Sequence, residues 1–124
     1  MLGAGWERAL KERFFYTAQP SATGFRDGHV LELGGGVRVR AIHTPGHTRG
    51  HCAFHVEPDD VLFIGDIDLS SFGPYYGDAW SDLADFERSL RLVRSIVVKH
   101  YATFHHIGVV DRPPFLARLD KFEA

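Results

Sequence analysis

The stretch His43-Thr44-Pro45-Gly46-His47-Thr48-Arg49-Gly50-His51 separates two alternating apolar runs, residues 37–42 before it and 52–56 after it. Three of the chain's eight histidines fall within these nine residues. Histidines 43, 47, 51 and 55 recur every four positions, a spacing that would align them on one face of a helix. Pro45, Gly46 and Gly50 rule that helix out, because proline lacks the backbone donor and glycine is a poor helix former. The histidines are therefore divided among strand ends and a loop, and cannot all converge on one point. The segment reads as a stiff loop joining two strands, with imidazole nitrogens at the mouth of a sheet.

Outward from this loop, residues 29–33 read as a strand, Gly34-Gly35-Gly36 as a turn and residues 37–42 as its hairpin partner. The triple glycine is not a phosphate loop, since a strand follows it where a helix N-terminus would be needed. Downstream, 52–56 reads as a strand, 57–60 as a turn and 61–64 as a strand buried on both faces that ends at Gly65-Asp66, giving four antiparallel strands in succession. Residues 67–80 form a long polar and aromatic loop in which Asp68, Tyr75, Tyr76 and Asp78 are candidates to line a groove. Ser81 is placed to cap a helix whose apolar face carries Leu83, Phe86, Leu90, Val93 and Ile96 or Val97, with Asp82 and Asp85 in its first turn. A strand at 101–104 runs into His105-His106. Asp111 is placed to cap a last helix with Pro113 or Pro114 in its first turn, where a missing N–H costs nothing. At the other end, Trp6, Leu10 and Phe14 mark an amphipathic helix over about 4–16 whose stripe faces a core or a partner.

The order helix, four strands, helix, strand, helix specifies an α/β fold, one mainly antiparallel sheet with helices on one face, and 124 residues suit a single domain spanning 1–124. A formal charge of -2 provides no basic field for nucleic acid or anionic lipid. No apolar run approaches the roughly 20 residues needed to cross a bilayer, and charged residues interrupt the N-terminal segment where a secretion signal would need an apolar core. The single cysteine, Cys52, cannot form an internal disulfide, so a cytoplasmic location is expected, with the thiol buried and inert.

Three features share one location, the ends of strands: the histidine loop, Asp66 after a buried strand, and the pair His105-His106 after another. A His-Asp-His set suits zinc, which takes imidazole and carboxylate ligands at about 2.0–2.2 Å and leaves a position for water.

His43-Thr44-Pro45-Gly46-His47-Thr48-x-Gly50-His51, then Leu62-Phe63-Ile64-Gly65-Asp66, then a histidine after a strand, resembles the second half of the metallo-β-lactamase superfamily. The resemblance runs from about the Val30 hairpin to the last histidines. It implies half of an αββα sandwich, with His47 a ligand of a first metal, Asp66 the catalytic carboxylate bridging two metals, and His105 or His106 the last ligand of the second, His106 preferred. His43 and His51 would shape or support the loop. The family's H-x-H-x-D-H motif occurs nowhere in residues 1–124, and the only histidine before His43 is His29. One copy of the chain therefore holds a partial zinc site. The expected function is that of a truncated metal-dependent hydrolase acting on a small-molecule ester, thioester, lactam or phosphoester. The alternative is a non-catalytic binding or structural half-domain with relic ligands. A lone half-sandwich would expose the inner face of its sheet, so a homodimer through that face is expected.

Overall fold

A computed structural model of the chain describes residues 4–70, 79–105 and 107–123. The elements run α1 (Ala4–Arg13), β1 (Val30–Gly34), β2 (Val37–His43), β3 (Cys52–Glu57), β4 (Val61–Phe63), α2 (Leu83–Ser95), β5 (His100–Ala102), β6 (Val109–Asp111) and α3 (Arg112–Glu123). The six strands form one sheet in the order β1-β2-β3-β4-β5-β6. Every neighbouring pair is antiparallel except β4 and β5, which are parallel and joined by the crossover through α2.

Because directly paired residues share a face of the sheet, the register sorts the side chains. Ala53, Leu62, Ile64 and Tyr101 point to one face, where they form a core with Phe86, Leu90 and Val93 of α2 and Phe115 and Leu119 of α3. The Phe115 ring stacks on Tyr101 at 3.7 Å between centroids. Arg112 secures this layer by donating to the carbonyl of Ile96, at the end of α2, and to the Tyr101 hydroxyl. The opposite face carries two apolar rows in register, Ala41-Phe54-Phe63-Ala102-Val109 and Leu31-Val39-Val56-Val61. No helix covers it. Val109 and Phe104 are each 64% exposed, and Phe54, Val56, Val61 and Phe63 are half-buried.

The α/β layering and the hairpins follow the sequence reading, with these corrections. The first helix stops at Arg13 rather than continuing to about 16, as Phe15 takes a positive φ, and its apolar stripe stays outside the core, with Trp6 46% and Phe14 59% exposed. Residues 61–64 are buried on one face only. Asp82, not Ser81, caps α2 by accepting from the Asp85 N–H, while Leu83 and Val97 face solvent. Asp111 closes an additional strand, β6, and its carboxylate meets the His100 ring. Ile67, Asp68 and Leu69 are buried at the start of the long loop, and the Asp68 carboxylate accepts from the N–H and hydroxyl of Ser70. Tyr75, Tyr76 and Asp78 lie outside the described residues.

Candidate metal centre

The histidine loop continues the β2–β3 ladder by one bond, from Thr44 N–H to the His51 carbonyl at 3.0 Å, and then turns on Gly46. Three contacts clamp it to the start of α2. Asp82 N–H donates to the Gly46 carbonyl at 2.9 Å, the Ser81 hydroxyl to the His47 carbonyl at 2.8 Å, and the Ser89 hydroxyl to the Pro45 carbonyl at 2.6 Å. The helix approaches so closely that a Cβ on Gly46, whose φ is +129°, would lie 2.3 Å from the Phe86 backbone. The adjacent Thr-Pro-Gly sequence thus lets a loop rest directly on helix backbone.

Asp66 follows β4 through Gly65, whose φ is +55° and which has no room for a Cβ beside His51. Its carboxylate lies between two imidazoles: Oδ2 is 3.6 Å from His47 Nε2, and Oδ1 is 3.1 Å from His105 Nε2. His105 comes off the end of β5, its ring edge-on to Phe104 at 4.5 Å. The loop, the β4 turn and the β5 turn thus bring three of the sequence candidates together, His47, Asp66 and His105. His106, the preferred candidate for the last ligand, lies outside the described residues.

The other histidines divide as the loop geometry requires. His43 donates from Nε2 to the Arg49 carbonyl at 2.8 Å, and its backbone N–H donates to Asp27. His55 pairs with Asp60 at 2.9 Å beside the β3–β4 turn. That bond holds the Asp60 carboxyl below its ordinary range. His51 is buried, its ring edge-on to His47 at 5.8 Å. Its Nε2 accepts the Asp66 N–H at 3.0 Å, and burial lowers its pKa, so the neutral imidazole is favoured. Cys52 is half-buried, and desolvation raises its thiol pKa, which suits an inert thiol. At the loop's outer side the Arg49 guanidinium lies 4.7 Å from the centre of the Trp80 ring, a cation–π contact that the sequence reading did not anticipate.

Imidazole nitrogen and carboxylate oxygen are both ordinary zinc donors, so the residues fit such an ion in kind. Two donors on one tetrahedral ion lie roughly 3.3–3.6 Å apart if the bonds are about 2.0–2.2 Å. The His47–Asp66 separation of 3.6 Å agrees with that edge, and the His105–Asp66 separation of 3.1 Å is that of a hydrogen bond. Among the described residues, no group of three or more His, Cys, Asp or Glu is arranged to hold a metal ion.

A family model described as "Metallo-beta-lactamase superfamily" matches residues 3–105. An atrochrysone carboxyl ACP thioesterase from Aspergillus fumigatus is 32% identical over 89 residues, covering 72% of this chain and 27% of its own length. A metallo-beta-lactamase family protein from Thermus thermophilus superposes with a TM-score of 0.65 at 34% identity, over 78% of this chain and 32% of that one. A third chain, solved in a di-iron-bound form, shares the fold with a TM-score of 0.65 at 21% identity, over 89% of this chain and 55% of its own. The chain spans less than a third of the length of the curated relatives it matches.

Proposed function

Because the chain belongs to the metallo-beta-lactamase superfamily, we propose that it is the ligand-bearing half of a metal-dependent hydrolase, with a partial zinc site formed by His47, Asp66 and His105. The observation that carries this reading is the Asp66 carboxylate with one imidazole facing each oxygen. A bound divalent ion supplies Lewis acidity and water acidic enough to act as a nucleophile near neutral pH. The protein's own part is orientation. His47 is fixed by the clamp on α2, Asp66 is fixed by its backbone, and their side chains are 20% and 36% exposed, so the carboxylate charge is only partly solvated. Of the ester-like substrates the family resemblance allows, a thioester has support in the name of the Aspergillus relative.

The test is the metal content of protein purified without chelators, alongside His47→Ala. Zinc is expected in the parent and is lost from the variant while the far-ultraviolet dichroism stays unchanged. A parent without zinc refutes the reading. A second reading is a binding module with relic ligands, supported by the described residues holding no group of three or more His, Cys, Asp or Glu arranged for a metal ion. Zinc-loaded protein that releases no thiol from an acyl thioester would select it.

The partner we propose for the uncovered sheet face is a second copy of the chain. At about 4.8 Å per strand the six strands span roughly 25–30 Å, a width suited to the about 800 Å² per partner of a standard interface. The face is apolar along one row from β2 to β6 and along a second from β1 to β4, which His100 and Asp111 continue on β5 and β6, and an isologous pairing would bury the same rows on both copies. Sedimentation velocity is expected to show a dimer in the parent and a monomer in Val109→Glu, whose charge falls on this face. A parent that remains monomeric at high concentration overturns the dimer. Among the described residues no helix is long and apolar enough to cross a membrane. The lone thiol suits a reducing compartment such as the cytoplasm.

A further inference from the structure

His51, beside the candidate ligands, is engaged at both ring nitrogens. Its Nε2 lies 3.0 Å from the Asp66 backbone nitrogen. Its Nδ1 lies 2.8 Å from the Thr44 carbonyl and 2.9 Å from the Thr44 hydroxyl. The Asp66 amide can only donate, so Nε2 must carry no proton, and Nδ1–H must be the donor to Thr44. One tautomer is thereby selected from two elements: the root of the His47 loop supplies the acceptor, and the turn after β4 supplies the donor. Gly65 completes the fit, since a Cβ there would stand 2.6 Å from His51 Nε2. The ring is a buried strut of fixed length between the two segments that carry His47 and Asp66.

We propose that His51 is a positioning residue, which holds the Asp66 backbone, and through it the carboxylate, in register with His47. This rests on the reading of His47 and Asp66 as zinc ligands. Partners that orient metal ligands from outside the coordination shell typically change metal affinity by about 10–100-fold when removed. A strut that served only to pack would change stability and leave the affinity of the folded protein alone.

Two substitutions separate these roles. In His51→Gln the side-chain carbonyl reaches roughly the place of Nε2 and can accept the Asp66 N–H, while in His51→Asn the shorter amide reaches Thr44 but not Asp66. Zinc affinity, measured by competition with a chromophoric chelator, is expected to fall about 10–100-fold in His51→Asn, with most of the loss restored in His51→Gln. The nitrogen-15 shifts of the zinc-free parent are expected to report the neutral Nδ1–H tautomer of His51. Parental zinc affinity in His51→Asn, equal losses in both variants, or an Nε2–H tautomer overturns the proposal while leaving the zinc reading in place. A parent that takes up no zinc removes the zinc reading itself, and this proposal with it.

Discussion

Gly46→Ala is expected to destabilise the protein by about 3–5 kcal/mol, a large part of the roughly 5–15 kcal/mol typical of a folded domain. Two effects add. A non-glycine residue held at a φ of +129° stores about 1–3 kcal/mol of backbone strain. The new methyl would also lie 2.3 Å from Phe86 N and Cα, and overpacking against groups that cannot move costs about 1–3 kcal/mol or more. Relief by withdrawing the loop would break the bonds from Asp82, Ser81 and Ser89. His47 would then leave its place beside Asp66. A urea titration checks the prediction, and an unchanged midpoint would show that the loop does not rest on α2.

Asp66→Asn should act in the opposite way, removing zinc without harming the fold. The substitution keeps the volume and the backbone N–H that His51 accepts, and the side chain is 36% exposed, so losing the pairing with the two imidazoles should change the unfolding free energy by no more than about 1 kcal/mol. What disappears is the negative charge set between His47 and His105, and an amide cannot present two equivalent anionic oxygens to two donors. Zinc affinity is expected to drop at least about 100-fold, the upper end of what losing a mere supporting residue costs. An Asn variant with parental affinity, read by isothermal titration, would show that the ion is held elsewhere.

The α/β layering and three members of the site could be read in the sequence because each rests on local rules. Alternation marks β2 and β3, the three-and-four spacing of Phe86, Leu90 and Val93 marks α2, and the Gly65-Asp66 step marks the end of β4. β6 escaped because three residues between Gly108 and Arg112 are too few to show a period. The choice between Ser81 and Asp82 as the helix cap was settled by tertiary structure, since the Ser81 hydroxyl is committed to the His47 carbonyl. The exposed stripe of α1 shows the same limit: amphipathic spacing identifies a helix but not what it packs against. His51 was legible only as a supporting residue. Its role depends on an amide fifteen residues away, and no spacing rule encodes which nitrogen of an imidazole carries a proton.

The single parallel pair, β4 beside β5, also sets the order in which the site can assemble. The strands that lead to His47 and Asp66 pair through hairpins, whose closing loops are short. His105 arrives only when the chain from Phe63 returns at His100, and loop-closure entropy makes that return roughly 1–1.5 kcal/mol harder than a hairpin. Without the crossover the His47 loop would also lack the Ser81, Asp82 and Ser89 contacts that seat it, so both imidazoles reach the carboxylate only once the chain has returned to β5.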